Sequence, residues 1–462
     1  MRAAAATILF LLVAACSPSS PPQQQSRAVH LTGTLGRAEY EIQTPADWNG
    51  TLFLYSHGYV APTSSNSAQA VPDDKVRTWL LGQHYAVAGS GYSSTGWAIE
   101  DAFRDQIALL DYFTTRVGKP KRVIAWGHSL GGIITAGLVQ LYPDRFVGAM
   151  PMCGVLAGGV ATWNLELDAA YAFKTLLAAT SALQVVHIPQ GGANLALAES
   201  IFSTATQTPQ GRARLALVAG LVDLPGWFDP TKKEPAATDY AGQLQGQEVW
   251  EARADFPFAF QYRSELEARA GGNPSWNDGV DYAQLLAASP DRNEVAAFYQ
   301  QAGLDLNADL RTLNAGATIK ADPAAARYLE RYVSFDGQLQ VPVLAVHTVG
   351  DGLVIPANEA AYAAVVSAAN RGDMLRQVFV NRAGHCAFTP AETIAAFQAL
   401  LKRIDTGRWD DTSLQPDPLN SAAADLRPGA STIFGFQFDP SFIKYEPARY
   451  PRPFARGEQI PT

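Results

Sequence analysis

Arg122-Val123-Ile124-Ala125-Trp126-Gly127-His128-Ser129-Leu130-Gly131 is the stretch on which the reading of this chain turns. Arg122–Trp126 is a short apolar strand, and Leu130–Leu141 reads as a helix. Between them stands Gly127-His128-Ser129-Leu130-Gly131, a G-x-S-x-G string. Such a string recurs by chance, and its setting gives it meaning. Directly after a strand and before a helix, the serine occupies a sharp turn that pushes its hydroxyl into solvent. Flanking glycines allow the close backbone approach that the turn needs. The helix starts at the serine, so its N-terminal dipole favours an anion developing there.

Upstream, Val29–Leu35, Ala38–Gln43 and Thr51–Tyr55 read as strands, punctuated by Gly36 and by residues 45–50. A helix is predicted from Pro72-Asp73-Asp74 to Gly82, then a strand at Tyr85–Ala88. Glu100–Thr115 is amphipathic, with Phe103, Ile107, Leu110 and Phe113 on one face. Phe146–Met152 is a further strand. The pattern resumes with strand Val341–Val346, helix Ala357–Ala369, strand Arg376–Val380 and helix Pro390–Lys402. Alternation of this kind predicts an α/β chain with a mainly parallel, eight-stranded sheet and helices on both faces. Residues 28–154 and 339–409 form the predicted core. Residues 155–338 are a large, mainly helical insertion after the sixth strand, and 410–462 an extended wrap.

Of 462 residues, 47% are hydrophobic and 17% charged, with a net charge of −8. A sizeable core follows, and nucleic acid is excluded as a partner, since it requires a concentrated basic face. Met1-Arg2 precedes a small, apolar run, Ala3–Ala14, too short to span a bilayer. Val13-Ala14-Ala15-Cys16 resembles the bacterial lipobox. The resemblance implies that residues 1–15 are a signal peptide, that Cys16 is lipidated, and that 16–27 are a flexible tether. An ordinary secretory signal cut near the same place is the alternative. The lipobox reading implies export, anchorage to the bacterial envelope at the outer membrane or periplasm, and membrane contact through lipid alone.

A serine hydroxyl is a poor nucleophile until a base takes its proton. On a strand-turn-helix of this type the partners follow in the order Ser, acid, His. Of the seven histidines, His187, His347 and His385 come late enough. His385 lies in Arg382-Ala383-Gly384-His385-Cys386, between the last strand and the closing helix, and is the expected base. Asp351, in Val349-Gly350-Asp351-Gly352 after strand Val341–Val346, is the expected acid. The segment after the sixth strand, Cys153-Gly154-Val155-Leu156-Ala157, offers no carboxylate instead. The expected oxyanion donors are the N–H of Leu130 and that of Tyr59 in His57-Gly58-Tyr59.

Together these pieces resemble the α/β-hydrolase superfamily, near its lipase and esterase branches. The resemblance covers about residues 29–152 and 339–403 and is silent on the insertion. It implies an α/β-hydrolase fold whose insertion serves as a cap, and catalysis by Ser129, Asp351 and His385 without metal or organic cofactor. In tannase-type feruloyl esterases a disulfide joins the residue before the serine to a cysteine after the histidine; His128 breaks that pattern here. A Cys153–Cys386 bridge that pins the His385 loop is expected instead, with two buried free thiols as the alternative. The implied substrate is a small or oligomeric carboxylic ester, suited to an insertion rich in aromatics such as Trp163, Trp227, Phe228, Phe256, Phe258, Tyr262 and Trp276. A peptidase or amidase would be marked by an acidic recess, from Glu166 or Asp168. A non-enzymatic lipoprotein is a third reading, and oligomeric state is not legible.

Overall fold

The computed structural model describes residues 28–426 and 430–461; the leader, Cys16 and the whole tether lie outside the described residues. The sheet is built from β1 (Val29–Leu35), β2 (Ala38–Thr44), β3 (Thr51–Ser56), β4 (Ala86–Ser90), β5 (Arg122–His128), β6 (Gly148–Met152), β7 (Val343–Gly350) and β8 (Leu375–Ala383). Their order is β1-β2-β4-β3-β5-β6-β7-β8. β1, β2 and β4 pair antiparallel, and β4 through β8 run parallel.

Alternation along the strands explains the two covered faces. In β3, Leu52 and Leu54 join one core cluster, while Phe53 and Tyr55 join the other. Helices α1 (Asp74–Gly82), α2 (Ile99–Arg116) and α3 (Leu130–Leu141) follow β3, β4 and β5. The Asp73 carboxylate caps α1 by accepting from the N–H groups of Lys75 and Val76. α2 buries Phe103, Leu109, Leu110 and Phe113. Helix Pro390–Thr406 packs Phe397 onto Phe53 and Trp126 on the opposite face.

The sheet has nine strands rather than eight. The extra one, Phe442–Ile443, pairs antiparallel with β8 at the edge. Asn420 holds it there, its Nδ2 donating to Phe442 O (3.0 Å) and its Oδ1 accepting from Phe442 N (2.7 Å). A two-residue strand has no periodicity to read, and its role is to cover an open edge. The tail is also less extended than predicted, since Pro416–Ala424 is helical. Beyond it, Tyr450 and Phe454 are buried, and Phe454 packs on Trp276.

Between β6 and β7 the chain is helical, beginning with α4 (Gly159–Leu177). Phe173 packs on Phe256 and Phe260, so much of the aromatic content is this segment's own core. Among the described residues no helix is long and apolar enough to cross a membrane.

Candidate active site

Ser129 is the residue on which the local backbone is most constrained. It sits between β5 and α3 with φ 59° and ψ −124°, in the left-handed half of the map. A non-glycine residue there costs about 1–3 kcal/mol and persists only where its surroundings impose it. Those surroundings are backbone. A Cβ on Gly127 would come within 2.4 Å of Ser56 O, and one on Gly131 within 1.9 Å of the same oxygen. Ser129 N donates to Met152 O (3.0 Å), tying the turn to the end of β6. The His57-Gly58-Tyr59 loop lies against the serine, since a Cβ on Gly58 would be 3.3 Å from Ser129 Cβ. Leu130 opens α3, where first-turn N–H groups lack intrahelical acceptors.

Asp351 and His385 meet. His385 Nδ1 lies 2.8 Å from Asp351 Oδ2, and Asp351 is fully buried. The other carboxylate oxygen accepts from the N–H groups of Leu353 and Val354, each at 3.0 Å. With Nδ1–H given to Asp351, His385 presents Nε2 as a proton acceptor. Cys386 Sγ is 3.4 Å from that nitrogen. It belongs to a disulfide with Cys153, so it has no proton to offer.

The bridge joins the end of β6 to the loop after β8, across 233 positions of sequence. Cys153 N donates to Val346 O (2.8 Å). The His385 loop is thereby fastened to the edge that carries Ser129. Cys153, His385 and Cys386 form a cluster of metal-binding residue types. Sulfurs bonded to one another are not thiolates, so that cluster is no metal site.

Tyr59, Trp97, Ser129, Leu130, Trp163, Glu166 and Phe258 line a narrow recess of about 40 Å³. Burial raises the Tyr59 phenol above its ordinary range, so the ring there is neutral.

The sequence comparison agrees with this architecture. Residues 85–390 match the family model of the alpha/beta hydrolase fold. The chain is an α/β hydrolase. It is 29% identical over 437 residues to the o-phthalyl amidase of Xanthobacter agilis, covering 86% of this chain and 91% of that protein. Solved structures with some similarity include an esterase from Aspergillus oryzae, with TM-score 0.40, 13% identity, and coverage of 83% and 80% of the two chains. Another is a serine hydrolase from Cycloclasticus zankles, with TM-score 0.36, 14% identity, and coverage of 83% and 100%.

The other histidines of the hydrolase have different surroundings. His57 stacks on Tyr92 at 4.0 Å between ring centroids, with Nδ1 2.8 Å from Gly58 O. Burial, then the charge of His385, lowers His128 to about 4, leaving it neutral. His187 is exposed on the insertion.

His347 is the residue that sequence reasoning passed over. It is fully buried, with Nδ1 3.0 Å from Glu359 Oε1 and Nε2 2.8 Å from Val354 O. Both nitrogens face acceptors, a setting that favours the imidazolium form paired with Glu359. Burial pulls its pKa down, but Glu359, Asp351 and the Val354 carbonyl together raise it overall. Asp351 Oδ2 is 3.6 Å from Nε2, so the carboxylate stands between two imidazoles. The i, i+4 spacing of His347 and Asp351 was visible in sequence; the Glu359 contact, made across a turn, was not.

Asp168 and Glu166 also separate. Asp168 is committed to Tyr282 Oη (2.8 Å) and Arg452 Nη1 (2.9 Å). Glu166 lines the recess, and its Oε2 has no hydrogen-bond partner.

Proposed function

We propose that this hydrolase transfers an acyl group to water through Ser129, with a carboxylic amide as substrate and the corresponding ester as an easier one. The observation that carries the reading is the Asp351–His385 pair, 2.8 Å apart and fastened by Cys153–Cys386 to the strand edge bearing the strained Ser129 turn. His385 Nε2 takes the Ser129 proton as Oγ attacks the carbonyl carbon. The carbonyl π electrons move to oxygen, and the N–H groups of Leu130 and Tyr59 hold that oxyanion. The imidazolium then protonates the leaving nitrogen, the C–N bond breaks, and an acyl-enzyme remains on Oγ. Water, deprotonated by the same nitrogen, releases the acid. Asp351 keeps the ring in the required tautomer throughout.

The amide is favoured by the activity named for the Xanthobacter agilis relative, aligned over most of both chains. Trp163 and Phe258 in the recess suit an apolar or aromatic acyl group. The ester reading draws on the same apolar walls and needs no group beyond those already described. We also propose that Cys16 carries the lipid anchor, a reading supported by the disulfide, which belongs to oxidising compartments.

The test is a matched pair: the anilide and the phenyl ester of one aromatic acid. Turnover of both, abolished in Ser129→Ala, is the expected result. Ester cleavage with no detectable anilide cleavage would overturn the amide assignment and leave an esterase.

A further inference from the structure

Three buried carboxyl groups of the insertion have oxygens without partners. Glu166 Oε2, Asp255 Oδ2 and both oxygens of Glu251 are buried without a hydrogen bond. Asp255 is 7% exposed and Glu251 1%. Leaving such groups unpaired is costly, because desolvation penalises every bare carboxylate. Glu166 and Asp255 face a small cavity of about 30 Å³. Val155, Thr162, Leu353 and Val354 belong to its wall and also to the wall of the Ser129 recess, as does Glu166. Asp255 and Glu251 lie on a π-helical turn, Glu251–Asp255. Such turns recur at functional sites, although this one counts only as support.

The surrounding cations balance these acids only in part, although Arg263 Nε is itself without a hydrogen-bond partner. Arg263 lowers the Glu166 pKa, but its Nη2 donates to Trp163 O (2.9 Å) and its Nη1 to Ser275 Oγ (3.2 Å). It also answers to Glu267 and Asp168. Arg452 is taken by Asp168. Burial raises Glu166 to about 8. Burial, then the charges of Glu166 and Glu251, raise Asp255 well above its ordinary value. In both groups burial favours the protonated form.

We infer that Glu166 and Asp255 form a subsite for a protonated amine, so that the substrate carries an ammonium group close to the bond that Ser129 attacks. The ammonium has three N–H donors, enough for both unpartnered oxygens. Its arrival releases a proton from one of the two carboxyls, which becomes its counter-ion, while the other keeps its proton and accepts an N–H through its carbonyl oxygen, leaving an ion pair in a low-dielectric pocket. A neutral ligand would leave the carboxyls protonated, and an anion would meet them as like charges once ionised. The catalytic part of this inference rests on the acyl-transfer reading; the binding part does not.

The experiment has two arms. Calorimetry on the full-length Ser129→Ala protein uses alaninamide and N-acetylalaninamide in buffers of different ionisation enthalpy. The expected result is saturable binding of alaninamide with proton release, and none of the acetylated compound. Glu166→Gln and Asp255→Asn should each weaken binding by roughly tenfold or more. The second arm compares alanine p-nitroanilide with its N-acetyl form on the otherwise unaltered enzyme. The ratio of their kcat/KM values should favour the free amine by roughly tenfold and collapse in either variant. Equal binding of the two amides, affinity indifferent to both substitutions, or tighter binding of a 2-carboxybenzoyl amide with proton uptake would each overturn the subsite. An enzyme that turns over neither anilide loses the amide reading, while calorimetry still decides the recess.

Discussion

Ser129 shows how much a single backbone position is made to bear. Its φ of 59° is held by the Ser56 carbonyl, which Gly127 and Gly131 allow to approach. Gly131→Ala would place a methyl 1.9 Å from Ser56 O, so the variant should be recovered in low soluble yield or with a clearly lower Tm. Ser129→Ala keeps the turn and removes the hydroxyl. Its turnover should fall by roughly three orders of magnitude, and His385→Ala should match it, in steady-state kinetics. His347 presents a different case. It and Glu359 are buried with side chains fully out of solvent. Removing one member of a buried ion pair strands the other, at about 3–5 kcal/mol. His347→Leu should lose that much in urea titrations. A loss indistinguishable from zero would mean that Glu359 is protonated and the ring neutral.

At the scale of elements, the Cys153–Cys386 bridge sets where the His385 loop can stand. Replacing both cysteines by alanine should cost about 2–5 kcal/mol and lower kcat more than it raises KM. Chemical denaturation and kinetics on the double variant check the two halves separately. The strands and helices that position this site could be read from sequence because each is long and periodic. β5 and α3 declared themselves through an apolar run, glycines and a helix-forming stretch. The loops holding Asp351 and His385 could be found because each follows a strand. Phe442–Ile443 could not, since it is two residues held by Asn420 from a distant helix. The His347–Glu359 contact and the unpartnered state of Asp255 were equally hidden. Both depend on which side chains the packed fold leaves without water, a property of three-dimensional proximity rather than of spacing.

For the whole molecule, the buried acids set a direction for stability against pH. Burial raises Asp291 to about 7 and Glu166 and Glu294 to about 8, with Asp223 adding to Asp291 and Asp291 to Glu294. An acid with a raised pKa keeps its proton in the native state after the unfolded chain has released it. The native state then binds more protons, and stability falls as pH rises towards those values. His347, also raised, acts in the same sense. His128, lowered to about 4, opposes it only below its ordinary value of 6.5. Between about pH 6.5 and 8 the trend is therefore downward. Calorimetric Tm should decline across that window, and Asp291→Asn should flatten the decline. A Tm that climbs with pH there would contradict the burial of these acids.

The covalent step proposed for Ser129 is open to direct observation. Treatment with a fluorophosphonate, followed by peptide mass spectrometry, should place one adduct on the peptide containing Gly127-His128-Ser129-Leu130-Gly131, with none in Ser129→Ala. An adduct that survives in Ser129→Ala, or an unlabelled wild-type protein that still hydrolyses its substrate, would contradict the account.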